Sequence, residues 1–242
     1  MMTPLQRTQM LQAYAEQILT RDVIERFGTV QYRAARRLAR NTLRSTGLAF
    51  SVNKQVKTDS SMGISVATEK AYALMDDLED AHLILWVGDY TLSIRDNPRR
   101  VQKTYAVDPG LALAVAPAGH LDVGQRLETA VFLELMRRYG ANRDVVIASY
   151  HADDCPEVDF VVGDAELLVQ YELVQVCEDI GDAEGDDTQR KRYRREIGSL
   201  ASAMRRCGLS RATVVTFADE TTIRTDAGVI DVMPAWKWCL VK

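Results

Sequence analysis

Cysteine is scarce in this 242-residue chain, and the four present, Cys155, Cys177, Cys207 and Cys239, form no C-x-x-C pair. A structural zinc centre needs closely spaced thiolates and imidazoles, and a disulfide scaffold needs far denser cysteine. Neither fits here, and sparse thiols suit a reducing, cytoplasmic setting. Histidine is scarcer still: His82, His120 and His151 stand far apart without ligand spacing. No apolar run approaches the ~18 residues that a membrane-crossing helix requires, so no membrane partner is expected. Met1 to Leu19 lacks the charged head and apolar run of a signal peptide. There is no G-x-x-x-x-G-K-[ST] loop, so no ATP site is expected in this chain. Internal repeats and low-complexity tracts are absent as well.

What is present is ordinary globular material, 47% apolar, long enough for one or two domains. The net charge of −4 hides an asymmetry. Residues 1–57 hold ten Lys and Arg against three acids, whereas residues 106–242 hold fifteen against twenty-three. A basic N-terminal segment suits phosphate or an acidic partner, or a solvated helix face.

Helical spacing predicts an amphipathic helix over 5–27, with Leu11, Tyr14, Ile18 and Val23 inward and Gly28 as its stop. A second helix over 30–45 places most of Arg33, Arg36, Arg37, Arg40 and Arg44 on one face. Ser51 can cap a short helix to about Thr58 that carries Lys54 and Lys57, and SSMG at 60–63 makes a turn. Ser65 can cap the next helix, to Asp80, with Ala71, Leu74, Met75 and Leu78 buried. Two strand-like runs at 82–87 and 90–94, joined through Gly88-Asp89, then suggest a hairpin. That order is a helix-turn-helix with a wing. Residues 65–79 would be the recognition helix, presenting Ser65, Thr68, Glu69 and Lys70.

RDNPRR at 95–100 is a turn-rich link, which sets domains of 1–100 and 101–242. TYAVD at 104–108 is a strand or edge strand stopped by Pro109-Gly110, and 111–123 is partly irregular. Beyond it the pattern alternates: a helix at 124–138 with Leu127, Val131 and Leu135 inward, then strands at 144–150, 157–162 and 167–177. After an acidic loop at 178–187 come a helix at 188–206 and strands at 212–217, 221–225 and 229–233. Ile197, Leu200, Ala201 and Met204 face inward on that helix, and Gly208 stops it. Helices interleaved with strands predict a mixed α/β (α+β) fold. Trp236 and Trp238 are expected to cover the sheet.

Chemistry concentrates at four positions: Glu128 on a helix, Asp159 on one strand, and Gln175 and Cys177 on another. Side chains alternate along a strand, so Glu157 and Asp159 share a face, as do Gln175 and Cys177. A helical Glu, a strand Asp and a strand Glu/Gln-x-Lys are the parts of a metal-dependent nuclease, in which hard oxygens hold Mg²⁺ and a Lys stabilises charge.

Several stretches sharpen this. LQAYAEQILTRDVIERFG at 11–28, FSVNK at 50–54, ALMDDLEDAHLI at 73–84, KTYAVDPGL at 103–111 and RLETAVFLELMRR at 126–138 lie in the first part. EVDFVV at 157–162, ELVQVCED at 172–179, RREIGSL at 194–200 and IDVMPAWKWCL at 230–240 follow. In that order they resemble the C-terminal half of a widespread family of prokaryotic AAA-type ATPases. The resemblance implies a helical, winged-helix-type module followed by a restriction-endonuclease-like domain similar to the PD-(D/E)xK nucleases. It places the metal ligands on Glu128, Asp159 and Gln175 and the catalytic set on these three with Cys177.

The pattern departs from the nucleases at two points. Gln175 stands where an acidic ligand is usual, and Cys177 where Lys is usual, so impaired or absent cleavage is expected. The implied partners are DNA, contacted by the Arg33–Arg44 face with Lys54, Lys57 and Lys70, and an ATPase domain or a separate ATPase chain. The alternative is a non-enzymatic module that docks on an ATPase and regulates or recruits it. RDVIER at 21–26 belongs either to such an interface or to an i,i+4 pair of Asp22 and Arg26.

Overall fold

The structure is a computed structural model that describes residues 2–24, 32–90, 102–115, 122–142, 144–152, 155–164, 167 and 169–241. It contains both helices and mixed sheets, as the alternating pattern predicts. The chain divides into two units: Met1–Trp86 with Val101–Thr129, and Val87–Arg100 with Ala130–Lys242. Residues 101–129, placed after the sequence boundary, group with the first unit. The link at 95–100 lies outside the described residues. No described helix is long and apolar enough to cross a membrane.

In the first unit, α1 (Pro4–Ile18) starts from Thr3, which accepts from the Gln6 N–H while the Gln6 side chain returns the bond. A π-helical turn follows at Leu19–Ile24. Leu11 and Ile18 pack against the core as expected, beside the buried Ala15 and Leu19, but Tyr14 is 52% exposed. Tyr14 lies about 100° around the helix from Ala15, off the buried face. The side chain of Val23 and residues 25–28 lie outside those described.

Helix α2 (Tyr32–Arg44) buries Ala34, Ala35, Leu38, Ala39 and Leu43 and leaves its arginines on the opposite side. Strand β1 (Leu48–Phe50) leads to α3 (Val52–Ser61), whose Ser51 cap accepts from the Lys54 N–H. Helix α4 (Thr68–Asp80) buries Ala71, Leu74, Met75 and Leu78, as its spacing predicts. It begins three residues after Ser65, however, and Ala67 at its N-cap offers no side-chain bond.

Strands β2 (Ile84–Val87) and β4 (Gln102–Ala106) complete a three-stranded sheet in the order β1-β4-β2, which makes β4 central rather than an edge. The short β3 (Asp89–Tyr90) pairs in parallel with a strand of the second sheet, so the runs at 82–87 and 90–94 make no hairpin among the described residues. A tight hairpin needs positive φ in a two-residue turn. Gly88, the one residue between the strands, is not among the positive-φ glycines. Residues 91–94 lie outside the description.

Pro109-Gly110 opens a helix rather than ending a strand. Asp108 accepts from the N–H groups of Gly110 and Leu111, and α5 runs from Pro109 to Val115. Proline costs nothing at the first helical position, where its missing N–H would have no partner. Leu38, Leu43, Leu74, Met75, Leu78, Leu83, Ile84 and Leu111 form the core of this unit.

Helix α6 (Val123–Tyr139) buries Leu127, Val131 and Leu135. The division of the chain falls within it, after Thr129. The second unit is built on a seven-stranded sheet. Its remaining strands are β5 (Val145–Ala152), β6 (Cys155–Asp164), β7 (Val169–Val176), β8 (Arg211–Thr216), β9 (Thr221–Thr225) and β10 (Gly228–Pro234). The order is β3-β5-β6-β7-β8-β10-β9. β5, β6 and β7 pair antiparallel, β7-β8 and β8-β10 pair in parallel, and β9 closes the edge antiparallel to β10.

Helix α7 (Asp187–Cys207) starts on Asp186, which accepts from Thr188 and Gln189, and ends on Gly208 at φ 67°. That left-handed geometry costs glycine little. Ile197, Leu200, Ala201 and Met204 pack in one cluster with Val158, Val161, Leu173, Val214 and Ile230. The C-terminal turn α8 (Ala235–Trp238) corrects one expectation. Trp238 is buried under the Arg138 guanidinium, 4.0 Å from its ring, but Trp236 is 65% exposed.

Candidate functional site

Register builds the site. β6 and β7 run antiparallel with Phe160 opposite Val174, which sets Asp159 opposite Gln175. The Asp159 N–H donates to Gln175 Oε1 at 3.3 Å, and Asp159 Oδ2 accepts from the Val176 N–H at 2.8 Å. Gln175 Nε2 donates to Glu196 Oε2 of α7 at 2.9 Å. The other Glu196 oxygen accepts from Arg195 through Nε at 2.8 Å and Nη2 at 2.5 Å. Asp159, Gln175 and Glu196 are all buried, Glu196 most deeply at 2%.

Cys177 follows on the same face, half-buried. Burial pushes its thiol pKa up, and the negative charges of Glu196, Asp159, Asp179 and Asp219 push it the same way. It therefore stays a neutral thiol near neutrality, neither a nucleophile nor a substitute for an ammonium.

Magnesium demands hard oxygens at 2.0–2.1 Å in near-octahedral array. The Gln175 oxygen is turned to a backbone N–H, and its NH₂ faces the nearest carboxylate. Among the described residues no group of three or more His, Cys, Asp or Glu is placed to hold a metal. The residues of this unit do not fit the Mg²⁺ ligand set that the nuclease resemblance implies.

Glu128 is held in the first unit. The Tyr105 hydroxyl donates to its Oε1 at 2.6 Å, and Lys103 Nζ lies 3.0 Å from the same oxygen. Its carboxylate is thus neutralised and hydrogen-bonded by β4, and a Cβ at Gly47 would lie 3.4 Å from Oε2.

Of the five α2 arginines, two are consumed inside the first unit. Arg36 pairs with Glu16 at 2.9 Å, where Tyr32 also donates. Arg37 pairs with the buried Asp59 at 2.5 Å, which Gln55 supports. Arg33 and Arg40 are exposed and Arg44 is half-buried; among the described residues none of the three meets a carboxylate. Lys54 and Lys57 on α3 and Lys70 on α4 are exposed, as are Ser65, Thr68 and Glu69. The proposed Asp22–Arg26 pair lies outside the described residues.

Two groups were not picked out from the sequence. Glu196 carried a signal, being the one acid between Asp187 and Asp219 and adjoining Ile197 on the buried stripe. The other is His151 on β5, whose Nδ1 lies 2.9 Å from Asp89 and Nε2 3.3 Å from Glu157, with Ser149 donating to Asp89. Its two partners come from β3 and β6, so chain spacing carries no trace of it.

Residues 3–122 match a family described as a domain of unknown function, DUF8612. No curated protein and no solved structure matches the chain.

Proposed function

We propose that the chain is a DNA-interacting, nuclease-like accessory module of an AAA-type ATPase system that binds nucleic acid without cutting it. The carrying observation is the α2 face. Arg33 and Arg40 lie two turns apart, about 10 Å along the helix, exposed and without a carboxylate partner among the described residues. Guanidinium groups so placed are free to contact phosphate. Loss of cleavage is supported by the neutral Gln175 and Cys177 in place of an acid and an ammonium.

The test is an electrophoretic shift series with duplex, single-stranded and branched DNA across salt, for the wild type and an Arg33→Ala/Arg40→Ala variant. Affinity should fall steeply with salt, and the variant should lose about two from the log–log slope. Incubation with Mg²⁺ or Mn²⁺ beside Asp159→Ala should give no difference in cleavage. Failure to bind any of these DNAs at low salt would remove the reading. The exposed Met10 and Tyr14, one turn apart on α1, favour docking on an ATPase as the second reading. Co-purification of a Walker-loop chain without nucleic-acid binding would select it.

A further inference from the structure

We infer that the Gln175 amide does for the buried Glu196 carboxylate what a divalent cation would otherwise do, while its oxygen holds the Asp159 backbone, so that the second unit keeps Asp159 and Glu196 together without a metal. This acidic centre consists of Asp159 on β6 and Glu196 on α7, with exposures of 8% and 2%. Buried carboxylates are costly unless a cation or hydrogen-bond donors compensate them. A single amide links both residues here. It accepts from the Asp159 backbone and donates to the Glu196 carboxylate, while the Val176 N–H caps Asp159 and Arg195 caps Glu196.

The orientation of that amide follows from its neighbours. Asp159 N–H can only donate, and a Glu196 carboxylate only accepts. Turning the amide over would set NH₂ against N–H and oxygen against carboxylate, two repulsions in place of two bonds. The amide nitrogen therefore faces Glu196.

That contact is an ordinary hydrogen bond, and two carboxylate oxygens at the same separation would repel each other. Gln175 Nε2 and Glu196 Oε2 are separated by 2.9 Å, and one atom of the pair is an amide nitrogen with no lone pair to give. The contact is closed to a cation by its chemistry. Glutamate at 175 would make it a pair of carboxylate oxygens, whose repulsion a cation relieves.

The inference rests on the hydrogen bonds of this unit, and its test contains no nucleic acid. Its failure and failure of the DNA reading are therefore separate events. Thermal unfolding of the full chain is followed in EDTA, in Mg²⁺ and in Mn²⁺ for the wild type, Gln175→Glu and Gln175→Glu/Glu196→Gln. The wild type should melt at the same temperature in all three. Gln175→Glu should melt lower in EDTA, by about 4 °C or more, and recover with metal. The double variant restores a carboxylate–amide pair with the roles exchanged, so it should melt near the wild type and ignore metal. A wild-type melting point raised by metal would overturn the inference. So would Gln175→Glu melting as the wild type does in EDTA, or failing to recover with either metal while the double variant folds.

Discussion

Tyr105 donates its hydroxyl hydrogen to Glu128 at 2.6 Å from a position with no solvent exposure. The bond is charge-assisted, and Lys103 shares the same oxygen. Glu128 therefore acts as a tie between α6 and β4 of the first unit. Tyr105→Phe should cost about 1.5–3 kcal/mol. Glu128→Ala should cost more, about 3–5 kcal/mol, because it removes the partly buried ion pair with Lys103 as well. Urea unfolding of both single variants and the double variant checks this. A coupling energy below about 0.5 kcal/mol would deny the tie.

Glu134 on α6 predicts a pH dependence. Its carboxyl is held below the usual range by a hydrogen bond from Arg137 and then by Arg138, against an opposing contribution from burial. A depressed folded-state pKa stabilises above the ordinary carboxylate range, and that share is lost as pH falls through the folded value. Wild type should exceed Glu134→Gln in stability at pH 7, by roughly 0.5–1.5 kcal/mol. The gap should begin to close below about pH 5 and vanish only at more acidic pH. Denaturant midpoints at a series of pH values measure it, and a gap that widens toward acid contradicts the assignment.

Cysteine reactivity should follow burial. Burial pushes both thiols up, but Cys177 is half-buried with four acids pushing it further, whereas Cys239 is exposed and Arg138 and Arg137 oppose its rise. Since the thiolate is the reacting form, iodoacetamide near neutrality should label Cys239 well before Cys177. Peptide mass spectrometry over time reads the order directly. Rapid labelling of Cys177 in the folded chain would show that its surroundings are neither dry nor acidic.

Legibility in the sequence tracked how local each feature is. The buried stripes of α4 and α7 were readable because i, i+3, i+4 spacing is set within one element. The strands of the second unit were readable from apolar runs, and Gln175 beside Asp159 from the alternation of β6 and β7. Glu128 was assigned to the acidic centre by resemblance, yet its bonding partners, Lys103 and Tyr105, sit on a strand that spacing could not connect to it. The pairing of the described part of the expected wing was hidden for a similar reason. Nothing in the composition of β2 and β3 says which sheet each joins; pairing is a long-range choice. Pro109-Gly110 was read as a stop, although Asp108 followed by Pro109 is equally a cap and a first helical residue.

Gly163 and Gly198 should respond in opposite senses to the same substitution. A Cβ on Gly163 would lie 2.6 Å from the Val169 carbonyl oxygen on the neighbouring strand, where the β6-β7 register shifts between Val162 and Gly163. Backbone cannot yield there without moving the pairing that sets Asp159 opposite Gln175. Gly163→Ala should therefore cost about 1–3 kcal/mol and speed the labelling of Cys177 as the Asp159–Gln175–Glu196 contacts loosen. Gly198 lies exposed in the middle of α7, and a Cβ there meets nothing within 4 Å. Gly198→Ala should stabilise by about 0.5–1 kcal/mol, since alanine loses less backbone freedom in a helix. Unfolding midpoints of the two variants against the wild type test both signs. If Gly163→Ala were neutral, the close approach of β6 and β7 at Val169 would not be what holds the register of the acidic centre.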